Sequence, residues 1–448
     1  MKRLKKILVW ISVSVGFVIA ALFLFLAIMN AIWGAELRKT IAGMKARGEP
    51  MTIAEIVPAY VPPEKNAAVE FHKAFALMCG DKPDERYIPF KQGKIKPDLE
   101  KVNDYFTKKS RDQVSAEDTK KILELANSPQ LAEIFDVLNA AAAKPECNFD
   151  IRYEDGVTAP YPNMGILRTA IKLSSLKALA RANKGDIVGA CDTLMTSIKV
   201  SNHLRNEPAL VMCLVRVACL QMTANTLNDI ADNFQIPEEN AKSLIVELEK
   251  INTTESLKKA FIGELWGFGQ IIDRVISGKF GYNYICSQIY YGPPPGDASR
   301  LAYFVWKLFI KRDYCEYLRI TSLYPKVCDK PFYSSGEAIN RIENDISHIP
   351  RYCVFSRMFT PNLTGIFERN AEFQTKRAIS KIKLALNIYK GKNIAFPENL
   401  EQLKPEILRE IPIDELTGTP LTYKKDGEKY ILFSAAVRKL EEDRKLER

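Results

Sequence analysis

The chain is 448 residues long, 47% hydrophobic, 10% aromatic and 26% charged. That is too apolar and aromatic for a disordered chain, and long enough for two or three cores at roughly 150 residues each. The net charge of +10 is modest, and four of the positives (Lys2, Arg3, Lys5, Lys6) lie in the first six residues; no basic tract elsewhere marks a nucleic-acid footprint, so no nucleic-acid partner is expected.

The basic tail, residues 1–6, precedes an uncharged apolar run from Ile7 to Trp33 with only Ser12, Ser14 and Asn30 clearly polar. At about 1.5 Å per residue it crosses a hydrocarbon core of roughly 30 Å with some tilt. Trp10 and Trp33 stand near its ends, where indole rings favour the interface. A cleaved signal peptide would have a shorter apolar region and a small-x-small site. Neither feature is present, so residues 7–33 are expected to be an uncleaved transmembrane anchor whose partner is the lipid bilayer. No cysteine precedes Cys79, which removes a lipoprotein anchor. The basic tail places the N-terminus in the cytoplasm and the rest outside, although Arg38, Lys39, Lys45 and Arg47 follow the span closely.

A stalk, residues 34–50, continues as a polar helix to Gly48-Glu49-Pro50. The helical body, residues 51–290, opens with Thr52–Ile56 and a proline-rich turn. Ala67, Phe71, Phe75 and Met78 then repeat at helical spacing behind Asn66, a residue suited to an N-cap. Residues 80–115 are polar and irregular, and one helix is expected over 117–143. Ile166, Ala170, Leu173, Leu176 and Ala180 form one stripe and Ile187, Ala190, Leu194 and Ile198 a second, separated by Asn183-Lys184-Gly185-Asp186. This pattern predicts a tetratricopeptide-like helical hairpin in which Gly185 ends the first helix. Helices around 208–232 and 238–251 are expected to stack on it.

Residues 291–365 are read as a helical and irregular segment entered through the loop Tyr290–Gly296. Within it Leu301–Ile310 is too short to span a membrane, and a buried helix is favoured over an interfacial one. Residues 366–434 change pattern: a helix over 366–390 is followed by short β-type runs, Leu421–Tyr423 and Tyr430–Phe433, joined around Asp426-Gly427. Phe367, Ala371, Ile379, Ile382, Leu386 and Tyr389 give that helix an apolar stripe that serves as the packing partner of the hairpin and is more than two strands can cover, and its remaining face is expected to dock on the body. The tail, residues 435–448, carries charge of both signs and reads as a solvated helix end.

A search for chemistry yields no catalytic, cofactor-binding or metal residue. H-E-x-x-H, G-x-S-x-G, phosphate-loop and dinucleotide motifs do not occur. Ser-x-x-Lys at Ser174, Ser256 and Ser380 lacks its companion motifs. His72 and Cys79 share a helix, while His203 and His348 have no acidic partner at motif spacing; Asp229 with Asp232 and Glu441 with Glu442 are expected on solvated helix faces. The nine cysteines contain no C-x-x-C. Cys191, Cys213 and Cys219 read as buried hydrophobes, and Cys315, Cys328 and Cys353, beside proline-containing turns, are the better disulfide candidates.

The C-terminal stretches FPENLEQL, IPIDELTGTPLTY and YILFS resemble the C-terminal half of type II secretion major pseudopilins over about the last 75 residues. Pro397, Leu400, Leu403, Pro412, Asp414, Gly418, Pro420, Tyr423 and Ser434 carry the likeness. Glu415 replaces the usual proline and AAVRKLEED replaces the acidic calcium loop, so no calcium site is implied; Gly16-Phe17 lies within the apolar run without the prepilin cleavage signature. The full layout, with GMKARGEPMTIAEI, VPPEKNAAVEF, ANKGDIVGACDTL and NEPALV, is similar to membrane-anchored proteins of planctomycete and verrucomicrobial type bacteria, a resemblance that implies a layout and no chemistry.

The expected fold class is therefore mainly α: a transmembrane helix, a helical-hairpin body and a small C-terminal α+β module. The expected function is a non-enzymatic, membrane-tethered extracytoplasmic protein of the bacterial inner membrane, which binds an envelope protein or scaffolds an envelope assembly without a cofactor. The alternative is an extracytoplasmic hydrolase whose site is assembled from residues scattered in sequence.

Overall fold

The computed structural model describes residues 2–79, 116–126, 128–162, 164–281, 297–360 and 363–446. The irregular segment 80–115, Cys286 and the loop Tyr290–Gly296 lie outside them.

The first helix, α1 (Lys2–Ala46), runs without a break from the apolar stretch into the polar stalk. Its apolar part is exposed, with Phe17 75%, Phe23 68% and Leu24 64% accessible. From Trp33 onward one stripe is covered: Trp33 and Met44 are buried, and Leu37 and Ile41 pack on the same core. The helix ends where Gly48 donates to the Lys45 carbonyl and Glu49 to that of Met44, the paired bonds that close a helix C-terminus.

Next come α2 (Ala68–Cys79), α3 (Ala116–Ala126) and α4 (Pro129–Ala143). The expected single helix over 117–143 is thus two. Ser128 is extended and Pro129 occupies the first turn of the second, where its missing N–H does no harm but prevents continuation from the preceding turn. Asn66 does more than cap α2. Its Oδ1 accepts from the Ala68 and Asn148 amides at 3.0 Å each, and its Nδ2 donates to the Asn148 carbonyl, pinning the entry of α2 to the strand-like segment after α4.

The central hairpin, α5 (Met164–Asn183) and α6 (Ile187–Asn202), forms as its sequence predicts. Gly185 adopts φ +84°, a left-handed conformation that carries a steric penalty for residues with Cβ. Asp186 then caps α6 through the Gly189 amide at 2.9 Å; a Cβ at Gly189 would sit 2.2 Å from the Asp186 carboxylate. Beyond a single turn, α7 (Leu210–Asn233) and α8 (Glu238–Glu249) pack on the hairpin.

A long helix absent from the sequence reading, α9 (Thr253–Ile276), crosses the body. Its glycines hid its apolar stripe, and one of them, Gly263, lets the backbone meet the Pro208 carbonyl, where a Cβ would lie 1.7 Å from that oxygen. Then follow α10 (Asp297–Thr321), α11 (Tyr324–Val327), α12 (Gly336–Ser347) and α13 (Val354–Phe359). The expectation of a buried helix at Leu301–Ile310 holds only for one side of α10. Ile310 is buried, but Phe304, Val305 and Leu308 are exposed. Asp313 of α10 is fully buried and starts α13, accepting from the Phe355 and Ser356 amides at 2.8 and 2.9 Å and from the Trp306 indole at 2.7 Å.

The C-terminal part begins with α14 (Leu363–Asn393). Its stripe Phe367, Ala371, Ile379, Ile382 and Leu386 is buried as expected, and Phe373, Leu384, Ala385 and Ile388 on its other sides are buried too. The helix packs on α7 and α8 and also beneath the two-stranded antiparallel sheet β1 (Thr422–Asp426) and β2 (Lys429–Phe433). The strands are longer than expected, and the turn is Gly427-Glu428 rather than Asp426-Gly427. Gly427, at φ +60°, takes the first turn position as a two-residue hairpin requires. The tail forms α15 (Ala435–Leu446). It is not a solvated end: Arg444 reaches Glu372 at 2.5 Å, Lys376 reaches Glu441 at 2.7 Å, and Val437 is buried.

Candidate functional site

The groups singled out in sequence are dispersed, and each has a structural task. His72 is exposed and stands edge-on to Phe75 and Phe149. Cys79, its candidate companion, has a side chain outside the described residues. His203 is buried, shares 2.9 Å with the Ala141 carbonyl through Nε2, and is pushed down to about 4 by burial, so its ring is neutral. His348 closes α12 against the Asn344 carbonyl.

The three Ser-x-x-Lys serines have no lysine base beside them. Lys177 lies over the Phe135 ring rather than against Ser174. Ser256 bonds Arg216 and the Arg205 carbonyl. Ser380 bonds Asn228, while Lys383 pairs with Asp232. Asp232 also accepts from Tyr430 at 2.9 Å, so this carboxylate, expected to be solvated, ties the hairpin to α7. Cys315, Cys328 and Cys353 are free and buried, contrary to their reading as disulfide candidates, and burial pushes the Cys315 and Cys353 thiols up to about 12. Among the described residues no three His, Cys, Asp or Glu side chains are grouped to hold a metal ion.

Several buried ionisable groups are not visible in sequence, Glu207 and Arg216 among them. Glu207, within the α6–α7 connection, accepts from the Tyr153 hydroxyl and the Phe149 amide, and is raised above the usual carboxylate range by burial. Arg216 on α7 is 1% exposed and donates to Asn202 at 2.5 Å, Ser256 at 2.8 Å and the Asn252 carbonyl at 3.3 Å. Burial lowers it to about 10. Both bind the chain to itself across elements.

The larger concavity, about 290 Å³, opens where the body meets the C-terminal part. Thr254 of α9, the turn Cys328–Phe332, Asn370, Gln374 and Arg377 of α14, and Glu415 line it. Successive turns of α14 bring Asn370, Gln374 and Arg377 onto one face. Gln374 donates to Thr253 at 3.0 Å, but its Oε1 and the Asn370 Oδ1 have no protein donor. Glu415 accepts from the Phe332 amide at 3.0 Å and is raised by burial. Cys328 directs its thiol to the Tyr324 carbonyl and Ser335 its hydroxyl to that of Pro331, so neither is set against a base. Both amide oxygens are shielded from solvent and Arg377 donates to the Ile251 carbonyl, so a ligand could reach these acceptors only by displacing what covers them.

A smaller groove of about 190 Å³ lies between α4, α5 and α6. Arg181 on its wall is occupied by the Gly189 carbonyl and Thr193. Comparison with protein families, curated proteins and solved structures gave no match.

Proposed function

We propose that this chain is a single-pass, membrane-tethered protein of the bacterial inner membrane, with its N-terminus cytoplasmic and its body extracytoplasmic. The body acts as a non-enzymatic docking platform for an envelope protein. The observation that carries the reading is α1: an exposed apolar helix, long enough to cross a bilayer, that enters the folded body without a break. The second helix of sufficient length and apolarity, α7, is mostly covered by the body, which fits a core helix.

In this reading α5–α6 and α7–α8 are tetratricopeptide-like pairs, and the hairpin with α14 is a pseudopilin-like module packed against them. The cleft between them is the docking site, where a seated partner displaces what shields the unpartnered Asn370 and Gln374 oxygens. Experiments in cells separate the possibilities. Reporter fusions at the C-terminus should read extracytoplasmic, and a photo-crosslinker at Lys330 should yield a discrete protein adduct that Gln374→Leu abolishes. A cytoplasmic C-terminus would overturn the topology. Hydrolysis of a model ester or peptide substrate by the purified chain, lost in Glu415→Gln, would replace the platform by an enzyme.

A further inference from the structure

We infer that α10 is a second membrane element: its Tyr303–Ile310 turns, with the adjoining α13, seat in the outer leaflet beside α1. The inference deepens the reading of α1 as a span and rests on it.

The register of the two helices carries the argument. Trp33 stacks on Phe309 with ring centroids 5.5 Å apart, and Glu36 pairs with Arg312 at 3.0 Å. Both pairs have the same sequence separation, 276 residues, so α1 and α10 run side by side in the same direction. Following that register toward the N-termini sets Phe304, Val305 and Leu308 alongside the last apolar turns of α1. Burial agrees: Leu26 and Met29 of α1 are half-covered, whereas Phe25, Ile28 and Ile32 remain exposed.

The polarity of the two helices changes at one level. Along α1 the apolar run ends at Trp33, and Glu36, Arg38 and Lys39 follow. On the exposed face of α10, Phe304, Val305 and Leu308 give way to Lys311 and Arg312 at the matching height; the exposed Lys307 between them is within a long side chain's reach of that level. A membrane containing the apolar part of α1 up to Trp33 must therefore meet this face as well. Phe304 lies seven residues before Lys311, about 10 Å below that boundary along a helix that runs beside α1.

A neighbouring strip extends the surface. Tyr352 packs on Phe309 with centroids 4.9 Å apart, and Val354 and Met358 are 43% and 51% exposed on α13. Around it, Lys307, Arg351 and Arg357 are exposed. Apolar side chains rimmed by cations suit the acyl boundary and phosphates of an anionic bilayer.

The test uses the full chain reconstituted in vesicles of phosphatidylcholine and phosphatidylglycerol, with a benzophenone amino acid placed singly at 304, 308 or 358. Position 28 is the positive control, and the exposed positions 188 and 246 on the body are negative controls. Lipid adducts at 304, 308 and 358 as strong as at 28, with loss of signal at 188 and 246, support the inference. Lipid adducts at 28 alone overturn it and leave the span intact. The lack of lipid adducts even at 28 overturns both. Adducts at 304 or 308 to a second copy of the chain, in place of lipid, overturn it in favour of self-association.

Discussion

Ser434, the residue after β2, donates its hydroxyl to Oδ2 of Asp414 at 2.6 Å. The other oxygen of this buried carboxylate accepts from Thr375 of α14 and from the Leu416 amide, both at 2.9 Å. One side chain thereby joins the end of the sheet, the turn before it and the helix beneath it.

Asp414→Ala strands three donors in a dry environment, and the expected loss is about 3 kcal/mol, from hydrogen bonds to a charged acceptor. Proteolysis should then begin between β1 and the C-terminus before the body is cut. Asp414→Asn, which keeps the shape and an acceptor, should lose less. Equal melting of all three proteins would remove Asp414 from this role.

Ending the chain after Ser434 should destabilise it, because α15 contributes more than solvated charge. Glu372 is 1% exposed and would lose Arg444, leaving Lys376 and Gln221 as its partners. Burial acts to raise Glu372, but Lys376 and Arg444 outweigh it and hold the carboxyl below the usual range. Arg444→Ala alone should reproduce part of the loss, about 1–2 kcal/mol. A truncated chain that melts like the whole would show the tail ion pairs to be inconsequential.

Arg216 is a buried cation with no bonded carboxylate among the described residues, held by oxygens of three residues at the end of α6 and the start of α9. Arg216→Met removes a costly charge but leaves those acceptors unpaired. The second effect should win, by about 2–4 kcal/mol. A denaturation midpoint that moves upward would mean that desolvation dominates.

Two buried groups give opposite dependences on pH. Glu207 is raised by burial, so the folded state holds its proton more tightly than the unfolded chain. Stability from this group is present below the ordinary carboxylate range and is lost as pH rises through the raised value. Glu207→Gln should therefore compare better with the parent at neutral pH than in acid. His203 is lowered to about 4, so the unfolded chain takes up its proton first, and stability is lost as pH falls below about 6.5. His203→Gln, whose amide can keep the bond to Ala141, should soften that acid loss. Melting curves across this range check both signs, and a constant offset for either variant would refute the corresponding assignment.

What the sequence discloses follows from how local each cause is. The α5–α6 hairpin was legible because Gly185, Asp186 and Gly189 fix it within five residues, and α1 because its apolar run is continuous. The break at Pro129 is masked in the sequence, because the helical pattern continues on both sides of it. For α9 the signal was Asn252 with Glu255, where the Asn252 side chain does accept the Glu255 amide at 2.9 Å, though glycines interrupt the stripe. The cleft could not be read. Its walls come from positions 254, 328–335, 367–377 and 415, and only tertiary packing brings them together. The same holds for Asp232, whose partners Lys383 and Tyr430 lie some 150 and 200 residues away. Its polar helical surroundings gave no sign of a cross-chain tie.

The unbroken course of α1 also determines how the body can move. A flexible stalk would let the platform swivel and sample every approach angle. Here Leu37, Ile41 and Met44 of the same helix pack in the core and Trp33 is buried against Phe309, so the proposed span and the body behave as shaft and head. Any change in helix tilt, such as a thicker bilayer would impose, turns the whole head through the same angle and carries the cleft with it. With α1 anchored as proposed, reach along the membrane normal is fixed at a given tilt, and the freedom that remains is lateral diffusion and spin about the shaft. Under the proposed docking function, a partner has to present its own site at one height above the lipid, which restricts pairing by geometry before any side chain is compared.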